Sequence, residues 1–173
     1  MKRTKSIVTI TAAVLTAGIA TSLYAQNDQT TAPADREFMK KAAQANIAEI
    51  EAGKLAQSKA SSNDIKQFGE KMQQDHGKVL DELQTLAKSK GVALPTETDE
   101  KHKALAKRLA ATSGKKFDEA YASNAGVADH KEAKQLFEKA AASKDPDVSA
   151  FAKKVLPDIE HHLEMAQDLA RKS

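Results

Sequence analysis

Asp145-Pro146-Asp147-Val148-Ser149-Ala150-Phe151-Ala152-Lys153-Lys154-Val155-Leu156-Pro157-Asp158-Ile159-Glu160-His161-His162-Leu163-Glu164-Met165-Ala166-Gln167-Asp168-Leu169 contains a helix and its start signal in one stretch. A capping aspartate is followed by proline at the first helical position, where its missing N–H matters least, and then by a second acid. Val148, Ala152, Val155, Ile159, Ala166 and Leu169 step by 4, 3, 4, 7 and 3, which is one apolar stripe at helical period. The stripe holds on both sides of Pro157. The spacing therefore predicts a helix that continues through the proline, kinked where the hydrogen bond to Lys153 is missing. The stripe position passed over in the step of seven is His162. His161 lies about 100° round the helix and is expected outside.

The same period recurs upstream. One helix is expected from about Asp35 to Ala60, with Asp35 as N-cap and Phe38, Ala42, Ala45, Ala52 and Ala56 facing in. A second runs from about Asn63 to Lys90 on Ile65, Phe68, Met72, Val79, Leu83 and Leu86, and stops at Gly91 before Pro95. The link between them is short, so they should lie antiparallel. Residues 91–113 form a longer connection with a short helix, about Glu97 to Ala111, on Leu105 and Leu109. A third long helix is expected from about Gly114 to Ser143 on Phe117, Ala120, Val127, Ala133, Phe137 and Ala140. Two helices, a long crossover and two more helices give an all-α, ferritin-like four-helix bundle over residues 35–173. No solenoid-type repeat is present.

The first 25 residues read differently. Lys2, Arg3 and Lys5 precede an apolar run from Ile7 to about Leu23, and Tyr24-Ala25 then gives way to polar Gln26. This is the order of a cleavable secretory signal over residues 1–25, cut near Ala25. The run is short and interrupted by Thr9, Thr11, Thr16 and Thr21, which suits a membrane span poorly. The expected location is the periplasm, with outer-membrane association as a further option and no transmembrane span in the mature chain. Residues 26–34 read as a flexible lead. The full chain is formally +3, and the leader's three cations account for it. A neutral mature chain with mixed charge and few aromatics lacks the basic face and stacking platforms of a nucleic-acid binder. The absence of cysteine excludes disulfides, thiol catalysis, zinc-thiolate sites and lipoprotein anchoring.

Each long helix carries one ionisable residue on its apolar face. Glu49 lies seven residues from both Ala42 and Ala56, while Glu51 points elsewhere. His76 follows Met72 by four and precedes Leu83 by seven. His130 follows Val127 by three, and His162 follows Ile159 by three. All four lie near mid-helix, so Glu49, His76, His130 and His162 are expected to converge at one level. Three imidazoles and a carboxylate are a donor set for one Fe, Cu, Zn or Ni ion. The plainer reading is a polar layer that fixes helix register. Asp75 and Asp129, each preceding a histidine, suit either exposed pairing or orientation of the ligands from outside. His102, on the short helix, has no core phase. Met72–His76 and His162–Met165 have spacings that can bind copper, though such methionines more often fill core. Tyr121, one turn after Phe117, reads as core. No Gly-rich phosphate loop, nucleophile elbow or His-Glu-x-x-His motif appears.

Several blocks together resemble a bacterial family, the domain of unknown function 4142. They are Ala48-Glu49-Ile50-Glu51-Ala52-Gly53-Lys54-Leu55-Ala56; Phe68 through Met72 to Asp75-His76; Gly91-Val92-Ala93-Leu94-Pro95; Phe117-Asp118 with Tyr121; His130 through Leu136-Phe137; and Phe151-Ala152 through Leu156-Pro157 to His162-Leu163 and Met165-Ala166. The resemblance covers about residues 35–171. It implies a ferritin-like bundle and an envelope location, with no established activity. It carries over no di-iron centre. Such centres use Glu-x-x-His on two helices, and here Gln73 precedes His76 and Ile159 precedes His162 at that spacing. Three roles remain open from the sequence. They are a non-catalytic envelope protein that binds a metal or small ligand and acts in envelope stress, a structural or interaction protein with no cofactor, and a redox enzyme with one metal.

Overall fold

A computed structural model describes residues 31–173. The expected leader and most of the expected flexible lead lie outside the described residues. The helices are α1 (Pro33–Lys59), α2 (Asn63–Ser89), α3 (Glu100–Ala110), α4 (Gly114–Tyr121), a π-helical segment (Ala122–Asp129), α5 (His130–Ala141) and α6 (Pro146–Lys172). α4, the π segment and α5 form one continuous rod. α1 packs chiefly on α2, and α5 on α6; α2 also meets α6, and α1 meets α5, which closes a four-rod bundle. The crossover carries α3 back over α1. Among the described residues, no helix is long and apolar enough to cross a membrane.

Local chemistry sets most of the boundaries. The Asp145 side chain accepts from the backbone N–H groups of Asp147 and Val148, and Pro146 opens α6, which continues past Pro157 to Lys172. α2 ends as its sequence predicts. Gly91 has φ +65°, which favours glycine, and the N–H of Val92 reaches the Ala87 carbonyl at 2.8 Å. Lys90 then clamps Asp145 and Asp147 at 2.7 Å each, tying the end of α2 to the start of α6.

Three expectations are corrected. Asp35 does not cap α1: Pro33 starts the helix after Ala32, and buried Asp35 accepts instead from the Ser143 hydroxyl at 2.7 Å. α3 starts at Glu100, because Asp99 caps it by accepting from the His102 N–H at 2.9 Å. Thr98, just before, is held on α1 through the Gln44 carbonyl. The third long rod is not uniform α-helix, since it widens into π geometry over eight residues before His130 and ends at Ala141.

Two apolar clusters fill the bundle. One gathers Phe38, Met39, Leu83, Phe137, Val148, Phe151, Val155 and Ile159. The other gathers Ala56, Ile65, Phe68, Met72, Leu109, Phe117, Tyr121 and Ala166. Along α1, α2, the third rod and α6 alike, the buried polar residues Glu49, His76, His130 and His162 fall between these two clusters.

Candidate metal centre

The three histidines come from three rods and meet in the middle. Their ring centroids are 5.4 to 5.6 Å apart. One ring nitrogen from each lies within 4.8 Å of the others. All three residues are buried, and His161 is exposed as its phase requires.

Each imidazole is held from outside by an oxygen. His76 Nδ1 donates to the Asn46 amide oxygen at 2.9 Å, and the Asn46 amide nitrogen is fixed in turn on the Ala42 carbonyl at 2.7 Å. His130 Nδ1 donates to the Ala125 carbonyl at 3.1 Å. That carbonyl belongs to the π segment, whose widened backbone brings it five residues back under the ring. His162 Nε2 donates to the Asp75 carboxylate at 3.0 Å. Lys71 reaches the same carboxyl oxygen at 2.8 Å. These oxygens accept, so each outer nitrogen carries the proton and each inner nitrogen presents a lone pair. The inner atoms, His76 Nε2, His130 Nε2 and His162 Nδ1, are buried without a protein partner.

Electrostatics keeps the rings neutral. Burial pushes His76 well below its ordinary value, and the neighbouring His130 and His162 push it further. Burial, then His162, brings His130 down to about 4, against a smaller opposing effect of the Ala125 and Gly126 carbonyls. Burial also lowers His162, although Asp75 pulls the other way. Three neutral imidazoles with converging lone pairs are the form in which histidine binds a transition metal.

Glu49 stands beside this group rather than in it. Its Oε1 lies 3.6 Å from His130 Nδ1, the outer nitrogen, which is too long for a hydrogen bond. Its Oε2 is buried without a partner, as is the Tyr121 hydroxyl. Burial, then the charge of Asp129, raises the Glu49 carboxyl well above its usual range. Burial, then Glu49, raises the Tyr121 phenol.

A cavity of about 20 Å³ adjoins the centre, room for one water-sized molecule. Glu49, His76 and His130 line it from within, and His102 and Asp129 from the α3 side. His102 Nδ1 contacts Asp99 at 2.8 Å, and its Nε2 lies 3.7 Å from Asp129. Lys101 bonds Asp129 at 3.2 Å and Glu132 at 2.6 Å.

The chemistry on offer is that of a mononuclear site. Bonds of about 2.0–2.1 Å to three nitrogens bring the donors to about 3.4 Å of one another, so the rings would close in slightly around an ion. Three protein donors leave a coordination position for a further ligand. Helical phase could reveal only one of the outer partners. Asn46 lies on the Ala42–Glu49 side of α1 at a spacing of four from Ala42, a signal present in the sequence. The Ala125 carbonyl has no side-chain signature. His102 reaches the cavity from the crossover helix, whose docking on α1 is tertiary.

The crystal structure of a DUF305 fragment from Deinococcus radiodurans shares this fold. The TM-score is 0.73 over 82% of this chain and 98% of that one, at 9% identity. No curated protein matches the chain. The family model described as Domain of unknown function (DUF4142) matches residues 20–169, a span that includes Glu49, all three core histidines and their oxygen partners. The chain therefore belongs to the DUF4142 family.

Proposed function

We propose that this chain is an exported envelope protein that binds one transition-metal ion through His76, His130 and His162. The carrying observation is the set of three buried inner nitrogens without protein partners, each opposite a nitrogen anchored to oxygen. A polar layer that served only to fix register would pair its polar atoms with one another, because an unpaired buried acceptor is destabilising. Here the unpaired atoms all face one point. The anchors are those that hold metal-bound histidines, which give their second N–H to a carboxylate, an amide or a carbonyl. Fe, Cu, Zn and Ni suit the donors. Glu49 braces the His130 ring from beside its outer nitrogen, 3.6 Å away. Export is supported by the basic, apolar and small-residue leader that precedes the bundle, and a role in envelope stress rests on the family resemblance alone.

Metal analysis of untagged protein purified from its own compartment tests this directly. One equivalent of metal is expected, and added Zn(II) should raise the melting temperature. A ligand at a hundred times its Kd adds about 2.7 kcal/mol. His76→Ala and His162→Ala should each abolish uptake, while His161→Ala retains it. Protein that carries no stoichiometric metal, and whose melting temperature ignores all four ions, would leave the register layer as the better account.

A further inference from the structure

We propose that the ion enters and leaves through the face between α3 and α5, with His102 and Asp129 as a transit site beneath the Lys101 ammonium. This rests on the metal reading above. The small cavity is the physical link, because the same space touches His76 and His130 on one side and His102 and Asp129 on the other. Metal-binding side chains stand on its lining. His102 and Asp129 are about nine-tenths covered, and partly exposed Asp99 contacts His102 from outside. Glu49, on the same lining, has a buried Oε2 without a partner. The rest of the lining, Asn46 apart, is apolar, including Val79, Ala133, Phe137, Val155 and Ile159, so a cation moving inward would keep to the oxygen and imidazole side, because a bare charge in apolar surroundings is prohibitively unstable.

The other directions are less open. Above and below the histidine level lie the two apolar clusters, with Phe38, Leu83 and Phe151 on one side and Phe68, Met72 and Tyr121 on the other. Asp75 reaches the surface beside His162, but its carboxylate already accepts from His162 and Lys71. Asp75 does not line the cavity. On the α3 face the cation bonded over Asp129 is Lys101. Its side chain is half exposed and rests on Asp129 and Glu132. A flexible ammonium over two carboxylates closes the route to cations by charge and can swing aside.

Stopped-flow mixing of metal-free protein with Co(II), followed by its visible absorption, tests the route. Equilibrium titration comes first. If the wild type takes up no Co(II), the centre and the route fail together. If it does, the rates decide the route alone. Lys101→Met should speed both loading and release about tenfold, at the low end of electrostatic effects on association, and the gain should shrink with salt. Asp129→Asn and His102→Ala should slow both. In all three the affinity should move far less than the rates, because a route alters a barrier and not its end points. Lys154→Met, which removes a surface ammonium bonded to Glu82, should leave the rates where they are. Unchanged rates in Lys101→Met and His102→Ala, or the same acceleration in Lys154→Met, would overturn the proposal.

Discussion

On one side of the histidine layer the core is filled by bulk. Phe38 meets Phe137 edge-on at 5.1 Å, and Phe151 lies 6.4 Å from Phe38 and 6.1 Å from Phe137. On the other side Phe68, Phe117 and Tyr121 supply bulk as well, but the rods also approach closely through small residues. A Cβ on Gly53 would come 2.5 Å from the Gly69 carbonyl oxygen, and one on Gly126 would come 2.9 Å from the Ala166 Cβ. The π segment lies in the second half alone. The difference separates two tasks. Large side chains hold both halves of the bundle together, and close, widened backbone in the second places a carbonyl where His130 needs it.

Phe38→Ala should break the first half and spare the site. Removing a buried phenylalanine costs about 3–5 kcal/mol. Chemical denaturation should record that loss, while metal stoichiometry stays unchanged in the folded fraction. If metal uptake fell with it in folded protein, the two halves would not be separable.

Acid should act through the layer and leave the first half alone. In the fold His130 titrates at about 4, against an ordinary 6.5, so the unfolded chain takes up its proton first. The stability gained by burying it neutral is complete above 6.5 and is lost as pH falls toward 4, about 3 kcal/mol for this residue alone. His76 acts in the same direction. Glu49 opposes them: its raised carboxyl adds stability below 4.5 and forfeits it as pH rises. Metal-free wild type should therefore weaken between pH 6.5 and 4 in urea titrations. Glu49→Gln should be increasingly stabilising, relative to wild type, as pH rises above 4.5. A Glu49→Gln effect that is flat with pH would show that this carboxyl is not held protonated. Phe38→Ala should lose the same amount at either pH.

Gly126→Ala is the finest probe. The new methyl must push the π segment from α6, at about 1–3 kcal/mol for overpacking. That is less than Phe38→Ala, yet metal affinity should fall by about tenfold or more, as it does when an outer partner of a ligating histidine is disturbed. Calorimetric titration with Zn(II) on both variants would show the crossover. Parallel losses of stability and affinity in the two variants would erase the distinction between the halves.

How far the sequence foretold this varies from residue to residue. The bundle and the crossover followed from stripes and caps, because burial imposes a period on every amphipathic helix. His76, His130 and His162 met because stripe phase and axial level together fix position to within a turn. Phase does not choose which ring nitrogen faces inward. The anchoring by Asn46 and Asp75 therefore emerges only when the rods are assembled, and that by Ala125 only from the widened pitch of its own rod. Asp75 illustrates this, since it orients His162 across the interface and not its own neighbour His76. The π segment was hidden for a different reason. Ala122-Ser123-Asn124-Ala125-Gly126-Val127-Ala128-Asp129 is made of small residues with no strong apolar period, so nothing in it distinguishes one helical pitch from another.

That segment has a consequence for heredity. A π turn fits an extra residue into a helix while the flanking turns keep their partners. Losing one codon for an exposed residue such as Ser123 would let Ala122–Asp129 relax to ordinary α pitch with the bundle still packed. The Ala125 carbonyl would return to the backbone ladder, and His130 would lose its anchor. Lineages of this family could thus discard or regain the site by a single in-frame change and show no trace of it in the fold. Relatives one residue shorter at this place are the ones in which the three histidines are free to drift to other residues.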